Sequence, residues 1–442
     1  MRDKAVMRLI CIIAGSIMAA FLVPLAARAR LSPPRQVEAP VRSADWRDEG
    51  ESVSSNDYDR GMLLSPDLAA RGDKLYVMWS RQVGTGDEDY DPHYNFTDSY
   101  GDSHFGADIN IQATAPTSKT VYVDMALDST GAPHFVWAEN TKTPYSYTLY
   151  YSSTHIANIQ LITQYDDALQ PAIAVGSSYV HVVWSQGDQD IMYSSKPRTG
   201  GSWDSATPVR SSATAVQDPN IAVDGSDTVH VVWSEGEEPD NTDIRYKNSD
   251  DWPGWSGFPA TVYNGSVFVN GIGYRPDIAL SGSNVYVVWC AFKGDGQQYV
   301  RFRQSTNGGS SWGSSSQLIS GSALAANANS PKYLRPGIAV DSNGKIHVAF
   351  NGSTTGVNGN EQIFYVSKKQ GGSWRERQNV TGLNGLFNNT TPAIATSGEY
   401  VHLIWARQNM PPKPTSRYDV VYNRASIIEL ESVFLPLILK SY

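Results

Sequence analysis

Residues Gln170 to Ser185 read QPAIAVGSSYVHVVWS, with two apolar runs on either side of a short Gly-Ser-Ser turn. Alternating apolar positions bounded by turn residues predict two short strands joined as a hairpin. The same pattern returns six more times along the chain, over residues 65–80, 124–138, 218–234, 275–290, 335–350 and 391–406. A self-similar segment at a regular spacing indicates a fold built from repeats, in which each copy is one structural unit.

Each copy ends on an aromatic residue, and a third strand follows it. The closing aromatics are Trp79, Trp137, Trp184, Trp233, Trp289, Phe350 and Trp405. The predicted third strands are residues 108–111, 147–151, 190–193, 243–246, 298–302, 362–365 and 419–422. Weaker fourth strands, at 206–209 and 317–320 for example, complete units of about 54 residues. The pattern predicts an all-β fold, a single β-propeller of seven blades with four antiparallel strands each, with six blades as the alternative.

The last repeat lacks room for its fourth strand. Little sequence remains after Tyr422, whereas Val37 to Trp46 precede the first blade without a partner. We therefore expect the N-terminal segment, residues 30–59, to pair into the last blade. Such pairing removes two sheet edges that could otherwise bind other chains. The propeller itself is predicted to span residues 60–425.

The two ends of the chain are predicted to act outside the propeller. Basic residues precede a long apolar run, and the Ala-Arg-Ala of residues 27–29 follows it, which is the pattern of a cleaved secretory signal over residues 1–29. An uncleaved membrane anchor is the alternative. Residues 426–442 form an apolar tail, either a sorting or surface-retention signal or a strand docked on the last blade. We expect a secreted or cell-surface protein that contacts membrane only through its signal peptide or tail.

Composition argues against nucleic acid as a partner and against disulfide cross-links. Lys+Arg 35 against Asp+Glu 44 give a formal charge of −9, whereas phosphate binding needs a clustered basic excess. Cys11 lies in the predicted signal, so Cys290 is the one cysteine of the mature chain and no disulfide can form within it. We expect a monomer that folds without cross-links.

Most of the histidines share one place in the repeat, three residues before the closing aromatic. They are His134, His181, His230, His347 and His402, and Tyr76 and Tyr286 stand there in the two other copies. A residue that occurs once per blade at one strand position predicts blade packing and not a metal site.

Ser305 to Trp312 reads STNGGSSW and resembles the Asp-box of sialidase-type propellers, whose pattern is Ser-x-Asp-x-Gly-x-Ser/Thr-Trp, with Asn307 in the place of Asp. Ser367 to Trp374 is similar with Lys369 there, and Gly200 to Trp203 keeps only the ending. The chain thus resembles the sialidase-like (BNR/Asp-box repeat) β-propeller superfamily. In that family the box is a hairpin between the third and fourth strands, away from the substrate face, so this resemblance implies a fold and not an activity.

Function is expected on one face of the propeller, where the loops vary among the repeats. These loops lead into the first strands or join the second strands to the third. Arg275 and Arg335 lie directly before the repeat proline, and Arg81 and Arg407 follow closing aromatics. The resembled family clamps a substrate carboxylate with three arginines, so the resemblance implies these four as candidate ligand-binding residues. Arginines that bond only neighbouring loop carbonyls are an equal alternative.

The resemblance also implies catalytic carboxyls, which no motif places in this sequence. Glu139 and Glu235 follow closing aromatics on the same face, and Asp89 lies in the first repeat. These three are the candidate acids.

The longest predicted loop joins the second and third strands of the first blade, from Arg81 to Ala107. Long loops in compact domains are functional or disordered, and this one is rich in acidic and aromatic residues. Tyr94 is its candidate ligand-stacking residue. Asp87, Asp89 and Asp91 are candidate calcium ligands, because calcium takes carboxylate oxygens in flexible geometry. No other cofactor is expected.

Three functions follow from these patterns. The leading hypothesis is a secreted or cell-surface propeller that binds glycan or another extracellular polymer through its loop face. The second is a glycoside hydrolase of exo-sialidase type that acts on anionic sugars. The third is a protein-interaction scaffold, because a propeller displays its loops rigidly.

Overall fold

The computed structural model describes residues 46, 51–54, 66–83, 90–99, 105–111, 119–140, 146–153, 158–163, 167–237, 240–249, 255, 257–265, 272–292, 298–318, 335–352, 361–382, 387–409 and 418–427. All of them belong to the compact unit Pro40–Tyr442. Within these ranges the chain forms strands and no α-helix. Accordingly, no described segment is a helix able to cross a membrane.

Seven blades of four antiparallel strands each form the fold. One parallel residue pair, Tyr90 with Lys119, joins the first blade to the second, and another, Thr242 with Ile272, joins the fourth to the fifth. The first two blades are β2 (Asp67–Arg71), β3 (Lys74–Gln82), β4 (Tyr90–Thr97), β5 (Ile109–Asn110), then β6 (Lys119–Leu127), β7 (Pro133–Asn140), β8 (Tyr147–Ser152), β9 (Gln160–Thr163). The third and fourth are β10 (Ala168–Val175), β11 (Tyr179–Gln186), β12 (Asp190–Pro197), β13 (Thr207–Ser211), then β14 (Val216–Val223), β15 (Val229–Glu237), β16 (Asp240–Asn248), β17 (Ala260–Tyr263).

The fifth and sixth blades are β18 (Ile272–Ser281), β19 (Asn284–Phe292), β20 (Gln298–Ser305), β21 (Ser316–Gln317), then β22 (Gly337–Val340), β23 (Ile346–Gly352), β24 (Gln362–Lys368), β25 (Gln378–Asn379). The seventh is β26 (Phe387–Ser397), β27 (Tyr400–Asn409), β28 (Tyr418–Ser426) and β1 (Glu51–Ser52). The seven-bladed prediction is confirmed. Each first strand contacts the first strands of both neighbouring blades, from β2 round to β26 and back to β2, so the blades form a closed circle.

The fourth strand of the last blade comes from the N-terminal side of the chain, as the sequence predicted. Glu51 pairs with Tyr422 and Ser52 with Val421, and the Val53 N–H donates to the Val420 carbonyl at 2.8 Å. This strand lies within the predicted segment, residues 30–59, but it follows the stretch from Val37 to Trp46 that the sequence analysis pointed to. Residues 37–45 fall outside the described residues.

The first blade corrects one strand assignment. Its third strand is β4, at Tyr90–Thr97, and residues 108–111 instead contain β5, the fourth strand. The segment predicted as one long loop from Arg81 to Ala107 therefore contains the whole of β4. Its true connection between the second and third strands runs only from Val83 to Asp89, and residues 84–89 lie outside the described residues.

Aromatic side chains join six of the seven blades to the blade before them. An aromatic residue four or five positions before the fourth strand packs edge-on against the third-strand aromatic of the preceding blade. The pairs are Trp203 on Tyr151, Trp255 on Tyr193, Trp312 on Tyr246, Trp374 on Phe302, Trp46 on Tyr365 and Phe105 on Tyr422, with ring centroids 5.1–5.3 Å apart. Trp312 and Trp374 end the two Asp-box-like segments, which are thus hairpins that fix the packing between blades.

The repeated histidines are packing residues, as predicted. In each of the five blades that carry one, the histidine Nδ1 lies 2.6–2.8 Å from the hydroxyl of a third-strand tyrosine. Burial lowers the pKa of His134 and of His181 to about 4, so both side chains are neutral. Among the described residues, no group of His, Cys, Asp and Glu side chains is arranged to hold a metal ion.

Candidate functional site

A cavity of about 300 Å³ lies where the seven first strands meet. The second to seventh blades each contribute four residues at equivalent positions, namely the repeat proline or its equivalent and its neighbours, and the first blade contributes Pro66 and Asp67. The residue directly before that position is the variable one. It is Tyr122, Gln170, Asp218, Arg275, Arg335 or Thr391 in the second to seventh blades. We call these six side chains the channel mouth.

The backbone of the channel mouth has an unusual conformation. In four blades this residue has a positive φ, 52° at Gln170, 51° at Asp218, 49° at Arg275 and 48° at Thr391. A residue other than glycine is uncommon there and costs energy, and such outliers gather at functional sites. The register of the first strand against the second shifts at this point in all four blades. The repeat proline has no N–H to donate, so the ladder breaks here and forms a bulge.

Two arginines from neighbouring blades line the cavity. Arg335 in the sixth blade lies close enough to Arg275 in the fifth to be affected by its charge, and desolvation followed by this repulsion lowers the pKa of Arg335 to about 10. Its guanidinium therefore stays charged at neutral pH. The Arg335 N–H donates to Asn351 Oδ1 at 3.1 Å, which fixes the backbone at this position.

Two buried polar atoms of the channel mouth have no hydrogen-bond partner. They are Arg335 Nε and the hydroxyl of Thr391, in adjacent blades, and both residues line the cavity. Leaving a buried polar group unpaired costs about 1–3 kcal/mol. Oxygen atoms of a bound molecule or of water would satisfy both groups.

Gln170 and Asp218 form a bonded pair on the same wall. Gln170 Nε2 donates to Asp218 Oδ1 at 2.7 Å, and the Asp218 N–H donates to Gln170 Oε1 at 2.9 Å. The Ser185 hydroxyl also donates to Gln170 Oε1, at 3.0 Å. The Gln170 side chain is thereby locked, and it holds one oxygen of the Asp218 carboxylate.

Two residues further along the first strands, three aspartates link consecutive blades. Asp67 accepts the Met125 N–H, Asp124 accepts the Ile173 N–H and Asp277 accepts the Ile338 N–H, at 2.7–2.9 Å. Each bond runs from an aspartate in one blade to the backbone of the next. These carboxyls therefore hold the first strands together around the cavity.

Burial raises the pKa of these three carboxyls. Desolvation raises the pKa of Asp277 to about 7. Asp67 and Asp124 share a side-chain hydrogen bond, and desolvation raises the pKa of both, with that of Asp124 raised further by the Asp67 charge. One proton between the two oxygens explains the contact, with Asp124 as the donor.

Known structures place this geometry in a fold family. No protein-family model matches the chain, and no curated protein is similar to it in sequence. The phage phi92 endosialidase is similar in structure, with a TM-score of 0.53 and 10% identity over 89% of this chain and 71% of that one. A protein of unknown function from Dyadobacter fermentans gives 0.51 at 9% identity, over 87% of this chain and 100% of that one.

Trypanosoma rangeli sialidase is a third match, with a TM-score of 0.50 and 9% identity over 87% of this chain. The chain spans 58% of that sialidase. The protein has a sialidase-like β-propeller fold. At these identities the likeness concerns the fold alone.

Arg275 and Arg335 line the cavity of this sialidase-like propeller, but Arg81 and Arg407 do not. Arg81 Nη1 bonds Asp108 at 3.1 Å, and Arg407 Nη2 bonds Asp419 at 2.9 Å while its guanidinium stacks on Phe387. A sialidase-type clamp requires three convergent arginines, and the described structure brings two of these four to the cavity. Each of the two outer arginines neutralises a carboxylate within its own blade.

The candidate acids Glu235 and Glu139 bind the closing tryptophans of their own blades. Trp233 Nε1 donates to Glu235 at 3.0 Å, and Arg210 Nη2 and Nε hold the same carboxylate at 2.5–3.2 Å. These bonds lower the pKa of Glu235 despite burial. Trp137 Nε1 donates to Glu139 at 3.4 Å. Neither glutamate lines the cavity, so neither is placed for acid catalysis there.

The candidate ligands of the first blade are core residues where they are described. Tyr94 is fully buried and packs against Phe135, so it cannot stack on a sugar. Asp91 is buried in β4 and accepts a bond from Asn110 Nδ2 at 2.6 Å, so it is not free to ligate calcium. Asp87 and Asp89 lie outside the described residues. Calcium binding there stays a prediction.

Sequence reasoning missed most of the cavity. Tyr122, Gln170, Asp218 and Thr391, and the buried Asp67, Asp124 and Asp277, were not selected as site residues. The available signal was positional, because the residue before the repeat proline changes from blade to blade while its surroundings repeat. Only the charge of Arg275 and Arg335 drew attention to that place.

Proposed function

We propose that this protein is a secreted or cell-surface propeller that binds an acidic glycan, or a similar extracellular polymer, at its channel mouth. The observation that carries the proposal is the pair of arginines from adjacent blades in one cavity, beside two unpaired buried groups. A carboxylate offers two acceptor oxygens in the geometry that a guanidinium binds. Its oxygens would also satisfy Arg335 Nε and the Thr391 hydroxyl.

Hydroxyl groups of the same ligand would form hydrogen bonds with the other polar side chains of the channel mouth. Asp218 can accept a hydrogen bond, and the Tyr122 hydroxyl can donate or accept one. A cavity of about 300 Å³ is at the lower end of the range for small-molecule sites, so a sugar unit is a suitable occupant. Two of the similar structures are named as a sialidase and an endosialidase, and the sialidase structure holds 2,3-difluorosialic acid. This supports a glycan ligand by analogy of fold.

Hydrolysis is the weaker alternative, since no observation favours it. The described part of the chain brings only two arginines to the cavity, and Glu139 and Glu235 are bonded elsewhere. Export and a monomeric state are part of the proposal. They rest on residues 1–29 and on the closure of the blade circle by β1.

Binding of the mature protein to a glycan array, followed by calorimetric titration with galacturonate oligomers, tests the proposal. Arg335→Ala should abolish binding or weaken it at least tenfold, because the carboxylate loses a charge-assisted pair. Arg71→Ala is the matched control, because Arg71 is exposed at the end of β2 and outside the cavity. Equal binding by wild type and Arg335→Ala would refute the proposal, and release of sugar from fluorogenic glycosides would favour the hydrolase.

A further inference from the structure

The carboxylate of Asp218 faces the same cavity as the two arginines. Its Oδ1 is held by Gln170, and among the described residues its side chain has no other hydrogen bond. Positive φ values at both Gln170 and Asp218 fix where the two side chains point. The second oxygen of Asp218 is thus an oriented acceptor that the protein itself does not use.

The charges around the cavity do not suit a sugar unit with several anionic groups. Arg275 and Arg335 supply two positive charges, and Asp218, in the blade before that of Arg275, supplies a negative one. Deeper in the cavity Asp67 and Asp124 share one proton and so retain a further negative charge. Asp277 adds another as it ionises, and Tyr122 stays neutral because burial raises its pKa. A bound sugar unit with several anionic groups would meet repulsion from Asp218 at any group that does not lie at an arginine.

We infer that Asp218 determines specificity at the channel mouth, and that it selects a sugar unit with one carboxylate and a nearby hydroxyl over a sulfated sugar unit. The hydroxyl donates to the free Asp218 oxygen while the carboxylate lies at the arginines. A sulfate in the hydroxyl position has no proton to donate and repels the Asp218 charge. Gln170 is the positioning residue, since it orients the carboxylate without needing to touch the ligand. This inference rests on the proposed function.

Asp218→Asn tests this role with little change of shape. Asn Oδ1 still accepts the Gln170 bond, while Nδ2 replaces the free acceptor with a donor. Trigalacturonate should bind the variant about tenfold more weakly, because a hydrogen bond to a charged acceptor is lost. A heparin tetrasaccharide should bind it several-fold more tightly, because repulsion is removed. Gln170→Ala should weaken trigalacturonate binding in the same direction but less.

Asp188→Asn is the control, because Asp188 is an exposed residue between β11 and β12 that does not line the cavity. It makes the same change of net charge and should alter neither affinity. Equal effects of the two substitutions, or no change of preference in Asp218→Asn, would overturn the inference while leaving Arg335-dependent binding intact. Binding of neither probe to the wild type would overturn both the inference and the proposed function.

Discussion

The indole of Trp46 packs edge-on against the ring of Tyr365, with centroids 5.3 Å apart and an interplanar angle of 69°. Its Nε1 donates to Gln378 Oε1 at 2.9 Å, which places it against the sixth blade. Trp46 lies five residues before β1, as Trp255 lies five before β17. The N-terminal segment thus supplies the last blade with both its fourth strand and the aromatic residue that binds it to its neighbour.

Trp46→Ala is therefore expected to destabilise the whole propeller. Replacing a buried tryptophan by alanine costs about 3–5 kcal/mol, and here the loss falls where the chain closes the circle. Denaturant unfolding of the mature protein measures it. Phe258→Ala is the control, because Phe258 is 95% exposed and should change stability little. Equal midpoints for Trp46→Ala and wild type would show that the closure adds no stability.

In the five blades that carry a histidine, this residue and its tyrosine partner should be replaceable by other residues only when both are changed together. His181 Nδ1 lies 2.8 Å from the Tyr193 hydroxyl, whereas the fifth blade has Tyr286 and Phe302 stacked in the corresponding places. Tyr193→Phe should cost about 1–3 kcal/mol, because it leaves a buried imidazole nitrogen unpaired.

Adding His181→Tyr to Tyr193→Phe recreates the pair of the fifth blade and should recover at least half of the loss. Thermal unfolding of the wild type, both single variants and the double variant gives the coupling between the two sites. Strictly additive effects would contradict the interpretation.

The aspartates around the cavity should make stability depend on pH. Burial raises the pKa of Asp67, Asp124 and Asp277 above the value in the unfolded chain, so their stabilising effect is full below about pH 4 and is lost as the pH rises through 7. The buried histidines act oppositely. Their lowered pKa removes stability as the pH falls from about 6.5 to 4.

Asp124→Asn separates the two effects. The Asn oxygen can accept the Ile173 N–H, and its amide can donate to Asp67 as the protonated carboxyl does. The variant should gain stability relative to wild type as the pH rises from 4 to 8. The histidines contribute equally to both proteins and cancel in the comparison. A stability difference that does not change with pH would refute the shared proton.

Glu235→Gln should weaken folding and leave glycan binding unchanged. Glutamine can still cap the closing tryptophan, as Gln186 does for Trp184 at 3.1 Å, but the ion pair with Arg210 is lost. The expected cost is about 1–3 kcal/mol at neutral pH. Because the pKa of Glu235 is lowered, this cost should disappear as the pH falls below about 4. If Glu235→Gln abolished binding and left stability unchanged, Glu235 would instead belong to the binding site.

The features that all blades share were predicted from the sequence, whereas features that differ from blade to blade were missed. Seven hairpins with closing aromatics identified the fold, because burial forces the same apolar pattern on each blade. The third strand of the first blade was misplaced, since Asp108 and Ile109 imitate the acid-apolar start of the other third strands. The true signal was Asp91 and Tyr94, spaced as Asp190 and Tyr193 are.

The cavity was harder to predict than the fold. Arg275 and Arg335 could be chosen by charge, but the partners that capture Arg81 and Arg407 depend on cross-strand contacts that spacing does not reveal. The bonded pair of Gln170 and Asp218 joins residues 48 positions apart, and the shared proton of Asp67 and Asp124 joins different blades. Such contacts form where adjacent blades pack together, between residues far apart in sequence, so no local pattern predicts them.

A crystal structure of the mature protein with trigalacturonate tests the central claim most directly. The account predicts a carboxylate within hydrogen-bond distance of Arg335 Nε and the Arg275 guanidinium, with a sugar hydroxyl at Asp218. Density for the ligand on the outer edges of the blades, with the channel mouth occupied only by water, would contradict it.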